Sequence, residues 1–257
     1  MTSEDLLPDI SRLDLTSRVT VDQPLDLEYC SRLKSKTLAR ICVGRAGYRY
    51  KTETWLRFRA DHAVAMDAVW SEVDESLLEP FGFFKVQTLI HNKDEYLTRP
   101  DLGRRFAPEV LQRIQSHCLP GPDVQIVVAD GLSSPAINEN IEDIYPMMLE
   151  GFQAKGYRVG TPIFVKFGRV ATMDRISEAL NAKVTLLLVG ERPGLATGES
   201  MGCYMAYESS TTKPESQRTV VSNIHKLGTP PVEAGAHLVS LVEILMREKK
   251  SGVDLKL

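Results

Sequence analysis

Three short apolar segments in the second half of the chain constrain its fold more than any other feature. Their sequences are VQIVVADG (124–131), TPIFVKFG (161–168) and KVTLLLVG (183–190), and stretches with helical periodicity follow the first two. Runs this apolar are typical of strands buried on both faces, and strands that alternate with helices form a parallel sheet with crossover connections. The pattern therefore predicts an α/β protein with a mostly parallel sheet and flanking helices.

The rest of the second half extends this sheet. A fourth strand is predicted at MGCYMAYES (201–209), and a last helix from about Pro231 to Lys249. We therefore predict that residues 121–257 form a Rossmann-like domain. The boundary before it falls in CLPGPD (118–123), because two prolines and a glycine interrupt regular structure there.

Residues 26–120 are predicted to form a smaller, mainly helical region. LEYCSRLKSKTLARI (27–41) and TETWLRFRADHAVAMDAVW (52–70) place apolar residues at intervals of three and four, as on one face of a helix. A short strand at FKVQTLI and a helix that begins near Pro108 follow. Residues 1–25 are mostly polar and contain two prolines, so we expect a loosely attached lead-in that could serve as a targeting segment.

Composition and charge exclude several classes of protein. The 257 residues are 43% hydrophobic and 25% charged with a formal net charge of -3, and the basic residues are scattered, so the chain lacks the basic surface of a nucleic-acid-binding protein. The four cysteines form no CxxC pair and the histidines no cluster, so we predict neither a metal site nor a disulfide framework. No apolar run suits a signal peptide or a membrane span, and we expect a cytoplasmic protein.

The strand ends are the candidate site, because ligands of such sheets bind beyond the carboxyl ends of the strands. After the first strand, Ser133 or Ser134 can cap the next helix, whose free amides could bind an anion or another acceptor. From this segment alone, a capped turn without any ligand is the favoured interpretation, because such turns occur throughout α/β folds. After the second strand, FGRV places Arg169 and Val170 at the strand–helix junction, although Arg169 could instead be a surface charge near Asp174.

The end of the third strand carries two opposite charges. Glu191 and Arg192 directly follow the apolar LLLVG, and Pro193 prevents a regular strand from continuing. Charges at the mouth of a buried strand are costly unless they pair with each other or with a ligand, and both alternatives stay open. Beyond the fourth strand, RTVVSNIHKLG places hydroxyl and amide groups beside Val220, and its lone His225 is predicted to be a hydrogen-bonded loop residue.

Two absent patterns bear on activity. A dinucleotide-dependent enzyme needs a GxGxxG turn after the first strand, and DGLSSPA does not provide one, which disfavours a stand-alone Rossmann-type oxidoreductase or methyltransferase. Paired carboxylates and a nucleophile beside a base are also missing from the sequence. We therefore assign no catalytic residue to this chain.

A series of longer segments resembles one known family. They are CVGRAGYRYKTETWLRFRADHAVAMDAV, YLTRPDLGRRF, DGLSSPAINENIEDIYP, GTPIFVKFGRV, VGERPGLATGESMGCY and RTVVSNIHKLGTPPVEA, in this order from Cys42 to near the C-terminus. Together they are similar to the small subunit of adenosylcobalamin-dependent ethanolamine ammonia-lyase. Each segment alone is a weak signal, whereas the ordered series is specific.

The resemblance implies that the chain is one subunit of a lyase. In that family a large (β/α)8-barrel subunit, which mainly binds ethanolamine, and the small subunit jointly enclose adenosylcobalamin, in an assembly of six large and six small chains. Cleavage of the cobalt–carbon bond gives a 5'-deoxyadenosyl radical that begins the conversion of ethanolamine to acetaldehyde and ammonia, while the protein holds the cofactor. The resemblance thus implies an isolated chain without activity, in the cytoplasm within a bacterial microcompartment.

Carried over by motif, the cofactor contacts of the family fall on Val170 in FGRV, Glu191 in GERPGL and Val220 in RTVVSNI. Glu191 is expected to accept hydrogen bonds from amide groups at the corrin periphery, and Val220 stands where the family often has a cysteine. Since no DxHxxG pattern occurs, we expect no histidine ligand to cobalt and a base-on cofactor. The alternative function is a non-catalytic assembly or scaffold subunit of a metabolic enzyme complex.

Overall fold

The computed structural model describes residues 17–255 of the chain. The described residues divide into an N-terminal unit, 17–67 with 194–197, and a sheet unit, 68–193 with 198–255. Most of the predicted lead-in, residues 1–16, lies outside the described part. Within that part, no helix is both long and apolar enough to cross a membrane.

The N-terminal unit consists of two helices and a hairpin. Its elements in chain order are α1 (Leu27–Lys34), β1 (Arg45–Ala46), β2 (Arg49–Tyr50) and α2 (Thr52–Trp70), of which the last three residues belong to the sheet unit. The side chain of Asp26 caps α1 by accepting a hydrogen bond from the Tyr29 amide at 2.7 Å. α2 has the bounds that its periodicity predicts. α1 is shorter than the predicted helix because the chain turns back after Lys34, whose ammonium group donates to the Ile41 carbonyl oxygen at 3.1 Å.

The described part of the sheet unit contains one six-stranded sheet, five α-helices and several short 3-10 turns. Its strands are β3 (Phe84–Gln87), β4 (Val124–Ala129), β5 (Ile163–Lys166), β6 (Val184–Gly190), β7 (Met201–Tyr207) and β8 (Thr219–Ile224), in the spatial order β3-β5-β4-β6-β7-β8. Its helices are α3 (Lys93–Thr98), α4 (Pro108–His117), α5 (Ser134–Ala154), α6 (Thr172–Leu180) and α7 (Pro231–Glu248). The predicted α/β class is confirmed, with helices that flank the sheet.

The sheet is mixed, so the prediction of a mostly parallel sheet matches only in part. β3, β5, β4 and β6 pair in parallel, whereas β7 is antiparallel to β6 and β8 is antiparallel to β7. The reason is the link between β6 and β7, residues 191–200, which contains no helix. A parallel connection needs a crossover of a dozen or more residues, so a short link returns the chain as an antiparallel strand. β8 itself was not predicted.

Two apolar layers cover the two faces of the sheet. On one face, side chains of β4 and β6 such as Ile126 and Leu188 pack against α5 and α7. On the other face, alternate residues such as Val127 and Leu187 pack against α4 and α6. Since both faces are covered, every residue of β4 and β6 is buried, which explains why these strands are apolar without alternation.

The region predicted as mainly helical, residues 26–120, supplies one strand to this sheet. β3 pairs with β5 in parallel, with Phe84 opposite Ile163. α4 begins at Pro108, as predicted, and packs on the same face as α6. That the three predicted regions fold separately stays a prediction.

Candidate ligand-binding site at the carboxyl edge of the sheet

One edge of the sheet collects the loops that the sequence predicts to bind a ligand. The parallel strands end along this edge, and β8, which runs in the same direction as β6, also ends there. The loops at this edge begin at Asp130, Phe167 and Glu191. We call this the carboxyl edge.

Asp130 connects the loops that follow β4 and β5. Its buried carboxylate accepts hydrogen bonds from the amides of Gly131 at 2.9 Å, Phe167 at 2.8 Å and Gly168 at 3.0 Å. Burial raises the pKa of Asp130 to about 6, although these amides and the nearby Lys93 favour the ionised form. Asp130 is not among the predicted site residues, and its only signal in the sequence is an acidic side chain directly after a buried strand.

The turn after β4 has the predicted cap. The Ser133 hydroxyl accepts a hydrogen bond from the Ala136 amide at 3.4 Å, and Pro135 lies in the first turn of α5. Gly131 has φ +60°, and a Cβ atom there would collide with the carbonyl oxygen of Gly190. Glycine is therefore required where the ends of β4 and β6 lie side by side.

The loop after β5 contains Arg169 and Val170. Arg169 donates to the Tyr96 carbonyl oxygen at 2.7 Å and its guanidinium lies 4.0 Å from the centre of the Tyr96 ring. It does not pair with Asp174, which instead binds Arg218 at 2.6 Å. Val170 is half-buried and packs against the apolar layer under α6. Val170 therefore borders the α6 face of the sheet.

Glu191 follows β6, and its carboxylate is held by Ser200, just before β7, and by the backbone of Asn223 on β8, rather than by Arg192. Oε2 accepts hydrogen bonds from the Ser200 hydroxyl at 2.6 Å and from the Asn223 amide at 3.4 Å. Arg192 is exposed and pairs with no carboxylate among residues 17–255. The local ion pair that the sequence left open is therefore not formed. A Cβ atom on Gly202 would lie 2.9 Å from Oε1 of Glu191, so the side chain lies directly over that glycine.

Val220 lies on β8 opposite Tyr204 and is 45% exposed. Directly opposed residues share a face of the sheet, and Tyr204, like Val170, packs against the layer under α6. Gly202, under Glu191, is opposite Val189 of that same layer. Val170, Glu191 and Val220 thus border one face of the sheet. Val220 precedes the end of β8 by four residues, about 13 Å of strand, so it lies away from the carboxyl edge itself.

These three residues fit a ligand with an apolar ring and amide groups at its periphery. Oε1 of Glu191 has no hydrogen-bond partner within the described residues and can accept from an amide. Gly202 has no side chain and so lets the Glu191 carboxylate lie against the sheet, and Val220 provides exposed apolar surface. The corrin ring of adenosylcobalamin has this combination of groups.

His225 directly follows β8, the strand that carries Val220, and both of its ring nitrogens are engaged. Nδ1 accepts from the Leu227 amide at 3.3 Å, so Nε2 carries the proton and donates to Oδ1 of Asn223 at 2.8 Å. His225 is buried and hydrogen-bonded, as predicted. In the described part of the chain, no group of three or more His, Cys, Asp or Glu side chains could hold a metal ion.

Fold and site together define an α/β protein with a mixed sheet, one face of which is partly exposed at Val220. Residues 27–256 match the family model described as ethanolamine ammonia-lyase light chain (EutC), so the chain belongs to this family. It is 64% identical over 230 residues to the ethanolamine ammonia-lyase small subunit of Clostridium acetobutylicum, covering 90% of this chain and 95% of that protein.

Other small subunits of the enzyme are similar over nearly the whole chain. The Clostridium tetani protein is 50% identical over 254 residues, covering 99% of this chain and 86% of the relative. The Listeria innocua protein is also 50% identical over 254 residues, covering 99% of this chain and 87% of the relative. These findings confirm the family that the six sequence segments indicate.

Proposed function

We propose that this chain acts as the small subunit of an adenosylcobalamin-dependent ethanolamine ammonia-lyase and forms part of the wall around the cofactor. The observation that carries the proposal is the position of Glu191. Its carboxylate is fixed by Ser200 and Asn223 through one oxygen, and the other oxygen is available over Gly202. A fixed carboxylate of this kind can accept a hydrogen bond from a corrin amide without first losing side-chain freedom.

The two valines have a different role in this proposal. Val170 and Val220 provide van der Waals contact to the ring on the same face of the sheet. Because Val220 has no hydrogen-bonding side chain, the contact at this position depends on shape, not on a cysteine sulfur. Adenosylcobalamin, when bound, supplies the radical chemistry that converts ethanolamine to acetaldehyde and ammonia.

Ethanolamine itself is assigned to the large subunit in this proposal. The chain would therefore be inactive alone and active as part of a lyase of six large and six small chains, a composition that native mass spectrometry can test. We also propose that the complex resides in a bacterial microcompartment, with residues 1–25 as targeting segment. A fluorescent protein fused to these residues and expressed with the shell tests this localisation.

The cofactor is proposed to bind base-on, with no histidine of this chain on cobalt. The hydrogen bonds at both nitrogens of His225 support this, because coordination needs a free ring nitrogen. The electron paramagnetic resonance spectrum of the complex with cob(II)alamin containing 15N-labelled dimethylbenzimidazole tests the ligand. Coupling to the labelled base is expected, and coupling to a protein histidine would contradict the proposal.

The proposed function is tested by cobalamin affinity of the complex with the large subunit, measured from the visible spectrum of the bound corrinoid. Glu191→Ala is expected to weaken binding about tenfold, because it removes a charged acceptor, and Glu191→Gln is expected to lose less. Glu233→Gln, on the exposed side of α7, is the matched control and should leave affinity unchanged. Unchanged affinity in Glu191→Ala would favour the assembly or scaffold alternative.

A further inference from the structure

A second candidate site lies beside the proposed corrin surface. A cleft of about 310 Å³ opens between the start of α6, the turn at 102–105 and the β7–β8 loop. Ala171, which follows Val170, lines the cleft, and so does Arg218, which precedes Val220 by two residues. The cleft lining is therefore adjacent in sequence to two of the three proposed cofactor contacts.

The lining of this cleft is strongly basic. Five cationic side chains contribute to it: Arg104, Arg105, Arg175, Lys213 and Arg218. They come from three separate segments that the fold brings together. The turn that carries Arg104 and Arg105 is held against the loop after β5, because the Arg169 amide donates to the Gly103 carbonyl oxygen at 2.9 Å.

Three carboxylates also line the cleft, but all three are already paired. Asp174 binds Arg218 at 2.6 Å and accepts from Ser209 at 2.6 Å, with both charged side chains buried. Glu215 lies 3.4 Å from Arg218 and 3.9 Å from Arg104. Asp101 is engaged by Arg99, outside the cleft lining, at 2.9 and 3.0 Å. The carboxylates thus form ion pairs with Arg218 and Arg104. They form none with Arg105, Arg175 or Lys213 in the described part of the chain.

Three cations of the cleft form no close ion pair among residues 17–255, although Arg105 lies in the field of Asp101 and Arg175 in that of Glu178. Within the described residues, no carboxylate lies within ion-pair distance of Arg105 or Arg175, and Lys213 donates only to the Tyr207 carbonyl oxygen at 3.1 Å. Unpaired cations that converge in a cleft attract an anion, and arginine favours phosphate because its planar fork can donate two hydrogen bonds to two oxygens. The cleft volume, about 310 Å³, is at the lower end for small-molecule sites, which suits a phosphate with its sugar.

We propose that this cleft binds a phosphate group and that, in the complex, the group is the phosphodiester in the nucleotide tail of adenosylcobalamin. The assignment to the tail rests on the proposed function, because it requires the corrin ring to lie against Val170 and Val220. Arg105, Arg175 and Lys213 supply the charge. The buried Asp174–Arg218 pair forms the rigid wall that positions the β7–β8 loop against α6.

The test compares two corrinoids that differ in the nucleotide tail. Cyanocobalamin carries the phosphodiester, whereas dicyanocobinamide retains the corrin ring and lacks the tail. Each is titrated into the complex of the full chain with the large subunit, and binding is measured from the visible spectrum. The variant is Arg105→Gln with Arg175→Gln, because both side chains are exposed and unpaired and their loss should not disturb the fold.

The double variant is expected to weaken cyanocobalamin binding at least about tenfold and to leave cobinamide binding unchanged, because each lost charge-assisted hydrogen bond acts only on the tail. Lys213→Gln should show a smaller loss with the same selectivity. Arg113→Gln with Arg247→Gln removes two exposed charges from α4 and α7 and is expected to change neither affinity. Circular dichroism and complex formation confirm that each variant is folded.

The titrations distinguish failure of the phosphate assignment from failure of the proposed function. Equal loss for both corrinoids, or no loss for cyanocobalamin, would contradict the phosphate assignment while wild-type binding keeps the proposed function intact. Failure of the wild-type complex to bind either corrinoid would overturn the proposed function and the tail assignment with it. Inorganic phosphate that raises the melting temperature of the wild type and not of the double variant, without selectivity between corrinoids, would show a site for free phosphate and overturn the assignment to the cofactor.

Discussion

The N-terminal unit and the sheet unit differ in how they bury apolar side chains. All buried hydrophobic residues of the described chain lie at or beyond Ala68, whereas none lies in residues 17–67. In those residues large apolar side chains are exposed instead, with Tyr48 at 102% and Trp55 at 48%. A segment of this length without a core cannot offset its conformational entropy by apolar burial.

The two units also differ in charge. Residues 17–67 contain ten basic and six acidic side chains, a formal charge of +4, whereas residues 68–257 contain twenty basic and twenty-four acidic ones, a formal charge of -4. The small net charge of the whole chain, -3, therefore hides a basic N-terminal unit and an acidic sheet unit. The burial difference, in contrast, indicates that apolar packing stabilises the sheet unit far more than residues 17–67.

Separation of the two units gives the largest expected effect. A fragment of residues 68–257 is expected to unfold cooperatively in urea, because it keeps both apolar layers. A fragment of residues 17–67 is expected to show the circular dichroism of a mostly unfolded chain. A cooperative transition in the short fragment would contradict the comparison, since it would require a core that the exposed side chains do not form.

Truncating one leucine in each unit measures how much apolar packing contributes to the free energy of unfolding in each. Leu188 on β6 is fully buried, whereas Leu56 on α2 is 49% exposed. Leu188→Ala is expected to cost about 2–5 kcal/mol of unfolding free energy, through lost burial and a cavity. Leu56→Ala in the free chain should cost less than about 0.5 kcal/mol. Urea unfolding of the full chain measures both, and similar losses would mean that residues near Leu56 are more tightly packed than their exposure indicates.

Asp130 gives the sheet unit a pH-dependent stability. Burial raises the pKa of its carboxyl group from 3.8 to about 6. Between these values the folded chain holds the proton and the unfolded chain does not, so this group makes stability fall as pH rises from about 4 to about 6. The decrease corresponds to at most about 3 kcal/mol, from 1.36 kcal/mol per pKa unit.

Asp130→Asn isolates this contribution because asparagine does not titrate. At pH 4 the variant is expected to be less stable than the wild type by about 1–3 kcal/mol, since its amide group leaves one of the three backbone donors unpaired. The difference should shrink as pH rises to 7, where the wild type carries a buried charge. A difference that is constant from pH 4 to pH 7 would show that Asp130 has an ordinary pKa in the folded chain.

Much of the sheet unit could be predicted from sequence, because a strand buried on both faces has a pattern of its own. The segments at β4, β5 and β6 were found for this reason, and Ser133 was recognised as a cap from its place before Pro135. β8 was missed because its side chains alternate only weakly between buried and exposed. The short link at 191–200 was the available signal that the next strand returns antiparallel.

The site was harder to predict because its geometry depends on pairings between distant segments. Asp130 binds amides 37 and 38 residues away, at Phe167 and Gly168, and no local spacing encodes those contacts. The cleft cations Arg105, Arg175 and Lys213 likewise come from three separate segments. Glu191 was identifiable from its place after a buried strand, but its partners, Ser200 before β7 and Asn223 on β8, were not.

The smallest effect is expected for an exposed ion pair of the N-terminal unit. Arg18 binds Glu53 at 2.9 Å, with the two side chains 61% and 47% exposed. Arg18→Gln is expected to cost no more than about 0.5 kcal/mol, because water screens the pair and the long side chains lose entropy in forming it. Lys155→Gln breaks a comparably exposed pair with Glu243 in the sheet unit and should cost equally little. Urea unfolding followed by Trp55 fluorescence in a Trp70→Phe background reports on the N-terminal unit, and a loss above about 1 kcal/mol for Arg18→Gln alone would mean that ion pairs there replace the missing core.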